Sequence, residues 1–220
     1  MSIVRKMSNV AVAMQSALGA NKTITAISIA APGVVTCTHD FANGDYVLMT
    51  VNGMYQLNGK VFRVVNVSTT VSFQLEDVTG GTGISTVGFA AFSSGTANKI
   101  TFGTSITSAA SMTASGGDFA YLDTTTIHTN QKSQIPGAAN PISFEMEHLW
   151  DITDAGQIAM KNASDLQSQL AFKLTYGTGG PIQVFTGYVG YTGAPTGAAQ
   201  DILKSKASIT AFGSPTYYSA

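Results

Sequence analysis

The chain has 220 residues, 44% of them apolar and only 10% charged, and Ala, Thr, Gly and Ser fill 98 positions, a balance in which helical domains are seldom built. Eleven basic residues against twelve acidic give a net charge of −1, which argues against the basic surface of a duplex-DNA binder. A single cysteine, Cys37, excludes an internal disulfide and any multi-cysteine metal cage.

Residues 1–20 set Arg5 and Lys6 ahead of an apolar run in the manner of a secretory leader, but Ser8, Asn9, Gln15 and Ser16 interrupt it, so no leader is expected. The first strand is predicted over 10–18. Strands at 24–35 and 46–51, turns at Asn43-Gly44-Asp45 and Asn52-Gly53-Met54, and a closing hairpin of 60–66 with 71–75 read as a small all-β module inserted over 24–89. Gly80-Gly81-Thr82-Gly83 and Ser93-Ser94-Gly95 mark its exit. The remainder, 1–23 with 90–220, is then one discontinuous core. Within it, 111–137 shows little apolar periodicity and carries Gly116-Gly117 and Thr124-Thr125-Thr126. That length is too great for an idle connection and is read as an arm. Phe119, Tyr121, Leu122 and Ile127 give the arm apolar content. Charge is sorted along the chain: from Asp118 to Asp154 six acidic residues face Lys132 alone, while residues 1–110 carry six basic and four acidic.

Further on, Ile142, Phe144 and Met146 alternate with Ser143, Glu145 and Glu147 in a strand. Residues 154–166 place Ala155, Ile158, Ala159, Ala163 and Leu166 at helical spacing, with Thr153 or Asp151 as the cap and Asp154 set for the helix dipole. Strands follow at 168–176, after the turn Gly177-Thr178-Gly179-Gly180-Pro181 at 182–189, and over 201–212, where Lys204, Lys206, Ser208 and Thr210 oppose Ala207, Ile209 and Ala211. The uncharged stretch 174–200 is long enough to cross a bilayer, but its glycines, prolines and hydroxyls are costly in hydrocarbon, so no membrane insertion is expected. The fold class is mainly β: an antiparallel β-sandwich with one flanking α-helix, plus the small inserted module.

Nucleotide loops, dinucleotide fingerprints, zinc helices and hydrolase elbows are missing from the sequence, and the chain is read as no enzyme, with no cofactor and no metal. Cys37-Thr38-His39-Asp40 lacks a positioned third partner and reads as a buried cysteine beside a turn. His39, His128 and His148 carry no ligand spacing. Glu145 and Glu147 stand about 7 Å apart on one strand face by rise alone. That pair reads as a solvated face rather than a catalytic one.

The run Gln131-Lys132-Ser133, then Ile142-Ser143-Phe144 and Trp150, the helix with Gly156-Gln157, Phe172-Lys173-Leu174, Val184-Phe185-Thr186-Gly187-Tyr188-Val189 and Gly213-Ser214-Pro215 resembles the major tail tube proteins of lambda-like phages with long, non-contractile tails. The likeness covers about residues 97–217. The inserted module, with Gly33-Val34-Val35-Thr36 and Gln56-Leu57-Asn58-Gly59-Lys60-Val61-Phe62, looks like a small β domain common in phage structural proteins; lambda-like tube subunits do not generally carry it in this place. The resemblance implies a virion tail subunit, made in the host cytoplasm, that stacks as homohexameric rings into the conduit for DNA ejection, alongside tape-measure, tail-tip and terminator proteins. It also implies that the arm orders against a neighbouring ring, with Asp118, Phe119, Tyr121 and Asp123 as its contact residues. Glu145 and Glu147 are the candidates for the channel wall, where carboxylates repel passing phosphates. The rival readings are a tail terminator, a capsid decoration protein, or an extracellular adhesin or pilin-like module.

Overall fold

The computed structural model describes residues 7–219; Arg5, Lys6 and the start of the leader-like stretch lie outside them. In chain order the strands are β1 (Val10–Met14), β2 (Ala17–Leu18), β3 (Lys22–Ile27), β4 (Val35–Cys37), β5 (Tyr46–Asn52), β6 (Val61–Ser68), β7 (Ser72–Leu75), β8 (Ser94–Thr101), β9 (Thr104–Ile106), β10 (Ala109–Ser115), β11 (Phe119–Asp123), β12 (Gln134–Ala139) and β13 (Ser143–Leu149). Helix α1 (Ala155–Asp165) then precedes β14 (Gln169–Tyr176), β15 (Ile182–Tyr191) and β16 (Lys204–Tyr218). The protein is mainly β, as the alternating sequence requires, and every ladder is antiparallel.

One sheet runs β10-β13-β16-β15-β14-β1-β9. It curls so far that its distant strands β1 and β10 line a common cleft, with Val10 and Val12 facing Ala109 and Met112. The two layers expected of a sandwich are thus halves of one continuous sheet, wrapped round a core of Phe144, Met146, Phe172, Leu174, Phe185, Ile209 and Met14. Phe185 stacks on Phe144 with centroids 4.6 Å apart and on Phe172 at 5.7 Å. Each buried phenyl is worth about 1.5–3 kcal/mol of transfer free energy.

Helix α1 lies against β15 and β9 with Met160 and Ala163 in that core. Its cap is Asp154, whose carboxylate accepts from Gln157 N at 2.8 Å; Asp151 instead accepts from the backbone and hydroxyl of Thr153. The buried face is turned from the predicted one. Gly156, Gln157, Met160 and Ala163 point inward, while Ile158 and Leu166 are exposed. Two local demands turn it. A Cβ on Gly156 would stand 2.8 Å from the Ser105 carbonyl, and Gln157 is satisfied in the interior by donating to Leu149 O at 2.7 Å and accepting from Tyr191 Oη at 2.8 Å.

The second unit is a closed six-stranded barrel in the order β8-β3-β4-β7-β6-β5 and back to β8. The predicted first strand divides at Gln15-Ser16: β1 belongs to the curled sheet and β2 pairs with β8. The barrel strands therefore run from Lys22 to Thr101, and the strand that closes them, β8, follows the Gly-rich stretch read as the exit. Val47, Met49, Val64, Phe73 and Leu75 fill the interior, so it is packed rather than hollow.

Barrel and sheet are joined by the end of the chain. Instead of ending near residue 212, β16 runs on to Tyr218, made possible by a register break opposite Val184 to Thr186 and by Gly213 at φ +77. Tyr218 is buried with Val61, Ile100, Ala171 and Val184. Its hydroxyl accepts from Arg63 N at 2.8 Å and its ring lies 4.8 Å beneath the Arg63 guanidinium. Arg63 in turn holds Glu76, with Nη2 to Oε1 at 2.9 Å, and Glu76 accepts from Gly81 N at 2.9 Å. Burial pushes the Tyr218 phenol up to about 12. Thr216 donates to Val61 O at 2.6 Å, Thr186 to Gly59 O at 2.9 Å and Ser219 N to Val78 O at 2.9 Å, so the joint satisfies its polar groups across the seam.

Candidate tube-forming surfaces

Strand β13 turns Phe144, Met146 and His148 to the core and Glu145 and Glu147 to the convex side of the sheet. Register sets Glu145 between Thr113 of β10 and Ser208 of β16, and Glu147 between Ser111 and Lys206. With Gly190 of β15 these residues line a shallow groove of about 420 Å³. Lys204 Nζ stands 3.1 Å from Glu147 Oε2, and Lys206 is exposed beside it. The sequence placed the glutamates on one strand face and the lysines on another; only the pairing register brings them together. The face accordingly carries two ammonium groups for two carboxylates and is close to neutral, rather than acidic. An exposed pair such as Lys204–Glu147 contributes about 0–1 kcal/mol, so its effect is on the sign of the surface more than on stability.

The barrel covers another part of the same convex side, over Ala171, Val184, Thr186 and the far end of β16. The two regions share β15 and β16 and are separated along those strands: Val184 and Thr186 lie under the barrel, whereas Gly190 lines the groove.

Beneath the groove His148 is fully buried, its Nδ1 3.3 Å from Ser108 Oγ, which reaches Asp154 Oδ1 at 3.4 Å. These three lie on separate elements, and no local spacing in the sequence joins them. Burial lowers the pKa of His148 below its ordinary value, against the opposite pull of Asp154, and leaves the ring neutral at pH 7. With no exposed edge, the imidazole ties the helix cap to the sheet and meets no solute. In the barrel, His39 stacks on Phe41 at 5.0 Å and meets Phe73 edge-on at 5.2 Å. Burial pushes the neighbouring Cys37 thiol up to about 11, Lys22 pulling weakly the other way, so the sulfur stays protonated and a poor nucleophile. His128 lies apart from both, at the exposed tip of the arm.

That arm is a two-stranded ribbon of β11 and β12, outside both large sheets. Residues 111–115 of the long stretch belong to β10 and pair with β13, so the free part begins at Asp118. At its root Gly116 and Gly117 both take φ +86, and a Cβ on Gly116 would stand 2.3 Å from the Pro141 carbonyl. The root is thus a turn that L side chains resist. Phe119, Tyr121 and Asp123 all lie on β11, every residue of which is exposed; Asp118 at its foot accepts from Asn140 N at 2.9 Å. Leu122 is paired with Ile135 on one face and Tyr121 with Pro136 on the other. The Thr125 hydroxyl and backbone N–H hold the Asp123 carboxyl below the usual range. A lone hairpin with apolar side chains on both faces is marginal in water.

A packed barrel, a wide sheet with an uncovered polar face and an apolar ribbon standing clear of the core are the parts of a structural subunit. A family model described as "Phage tail tube protein, TTP" matches residues 52–220, more than three quarters of the chain, and the chain belongs to that family. No curated protein matches it. The family is one of structural proteins of the phage tail, and membership implies a place in the virion tail and self-assembly into a tube with other tail proteins. The matched stretch opens at Asn52, the last residue of β5, and so takes in three of the six barrel strands.

Proposed function

We propose that this chain stacks as homohexameric rings into a long, non-contractile tail tube of the lambda-like kind, through which DNA leaves the virion. The supporting observation is the uncovered convex face around Glu145 and Glu147, where Ser111, Thr113, Lys206 and Ser208 join the carboxylates in the groove, backed by an apolar core. In this reading that face lines the channel, the barrel stands on the outside as an inserted module, and the arm docks on a neighbouring ring. Tape-measure, tail-tip and terminator proteins are the other partners.

A neutral wall suits the task differently from an acidic one. Lys204 and Lys206 are held beside carboxylates, so a passing phosphate finds no uncompensated cation to displace its counterions and no grip develops. Replacing both glutamates, Glu145→Lys with Glu147→Lys, leaves four ammonium groups on the face and none of the carboxylates. Tubes are expected to form, with DNA ejection slowed or stalled most strongly at low salt. The check is dye-detected ejection from particles carrying the variant; kinetics equal to those of the unaltered protein would remove these residues from the wall.

A further inference from the structure

A second concentrated apolar surface, besides the arm, lies at the far end of the same strand. The arm leaves the sheet where β13 begins, at Ser143; where β13 ends, Leu149 leads into Trp150, whose backbone N–H donates to Leu203 O and whose indole donates to Gly193 O at 2.9 Å. Trp150, Ile152, Ile158 and Tyr191 line a cleft of about 250 Å³ between this end of the sheet and α1. Ile152 is 72% exposed and Ile158 46%, and Ile202 and Leu203 continue the apolar rim at 64% and 46%. The rotated face of α1 explains why Ile158 is outside at all: Gln157 and Gly156 occupy the inward positions its periodicity would have claimed.

The seven residues of β13 separate ribbon and cleft by roughly 23 Å of strand rise. A knob at one end and a socket at the other can be exchanged reciprocally about a two-fold axis, which closes a pair, or passed head to tail from copy to copy; a tube of stacked rings needs the second. A shift along the strand direction brings the ribbon of one copy to the socket of the next, and such head-to-tail contacts repeat without closing. The tip carries Ile127, 96% exposed, between Thr126 and His128. Charge agrees with the pairing: Lys132 on the tip loop and Asp151 on the cleft wall are each without an ion-pair partner among the described residues.

We infer that the Trp150 cleft is the seat of the arm, with the ribbon tip around Ile127 of one copy entering the space between Trp150 and α1 of another copy. This rests on the tube reading above and gives it an address. The occupant is a second copy of this chain, and the contact is apolar at the centre with a Lys132–Asp151 pair at the rim.

The test uses full-length chains carrying Ile127→Cys together with Ile158→Cys; the one native cysteine, Cys37, is buried in the barrel. Treated with a short bis-maleimide after assembly, the double variant is expected to give a covalent ladder of dimers, trimers and longer species on a denaturing gel, and each single variant only monomers. Independently, Ile158→Lys, with circular dichroism and melting like the unaltered chain, is expected to raise the concentration needed for assembly roughly tenfold or more. Tubes from the double variant without a ladder, or assembly of Ile158→Lys at the normal concentration, would overturn the seat and leave the tube standing. Absence of tubes from the unaltered chain would overturn both.

Discussion

Excision of residues 118–139, so that Gly117 runs directly into Asn140, is expected to give folded, soluble subunits that no longer polymerise. The cut is designed by the structure: Gly117 and Asn140 already stand side by side, N to O at 3.2 Å, so joining them makes a short loop of residues 116–117 and 140–142 beyond the Ser115–Ser143 pair and leaves the β10–β13 ladder whole. Because β11 and β12 hydrogen-bond to one another and join neither large sheet, their removal takes nothing from either core, and stability should change by less than about 1 kcal/mol. The apolar area that the arm would bury on a neighbour is lost entirely. Sedimentation and urea unfolding on the same preparation separate the two effects. Normal tubes from the excised chain would show that the arm is dispensable, and an unfolded chain would show that it belongs to the core after all.

Tyr218→Ala is expected to be the most damaging single substitution at the joint, costing about 3–5 kcal/mol, the range for emptying a buried aromatic site. It opens a cavity beside Val61, Ile100 and Val184, removes the ring under Arg63 and leaves the Arg63 backbone N–H without its acceptor. Tyr218→Phe keeps the packing and loses only that acceptor, a cost of about 1–3 kcal/mol. Urea unfolding of the two variants gives the comparison. Equal losses would mean that the hydrogen bond, and not the filled volume, holds barrel to sheet; a loss under about 1 kcal/mol for the alanine would mean that the seam is looser than its buried side chains imply.

Much of this architecture could be read from period-2 alternation. Phe144, Met146, Phe172, Leu174, Ile209 and Ala211 all face the core as their spacing requires, and the one helix lies where the alternation stops. Two kinds of fact were hidden. The first is non-local pairing: Glu145 and Glu147, and Lys204 and Lys206, are each visible as a strand face, but nothing in either segment says that the two faces meet across a β13–β16 ladder. The sign of that surface, and hence its behaviour towards a polyanion, follows from register alone. The second is polar burial. Gln157 looks like a solvent residue in any hydropathy reading, yet its three hydrogen-bond partners bring it inside and turn Ile158 out, which creates the apolar rim beside Trp150.

The length of β16 shows a related limit. Gly213-Ser214-Pro215 reads as an ending, since proline gives no ladder donor and glycine marks a break. In the fold it marks a bend: the strand resumes to Tyr218, and the barrel is held by residues that a local reading assigns to a tail. The arm divides in the same way. Gly116-Gly117 signalled a departure from the sheet, but the pairing of β10 with β13 before it depends on partners further along the chain, from Ser115 with Ser143 to Ala109 with His148.

Electron microscopy of the purified full-length chain, with nothing else present, is the decisive measurement. Hollow tubes built of stacked six-fold rings, with the Glu145 face towards the bore and the barrels outside, are the expected result. A polypeptide that stays a solitary compact particle even when concentrated, or that forms solid fibres without a bore, would contradict it.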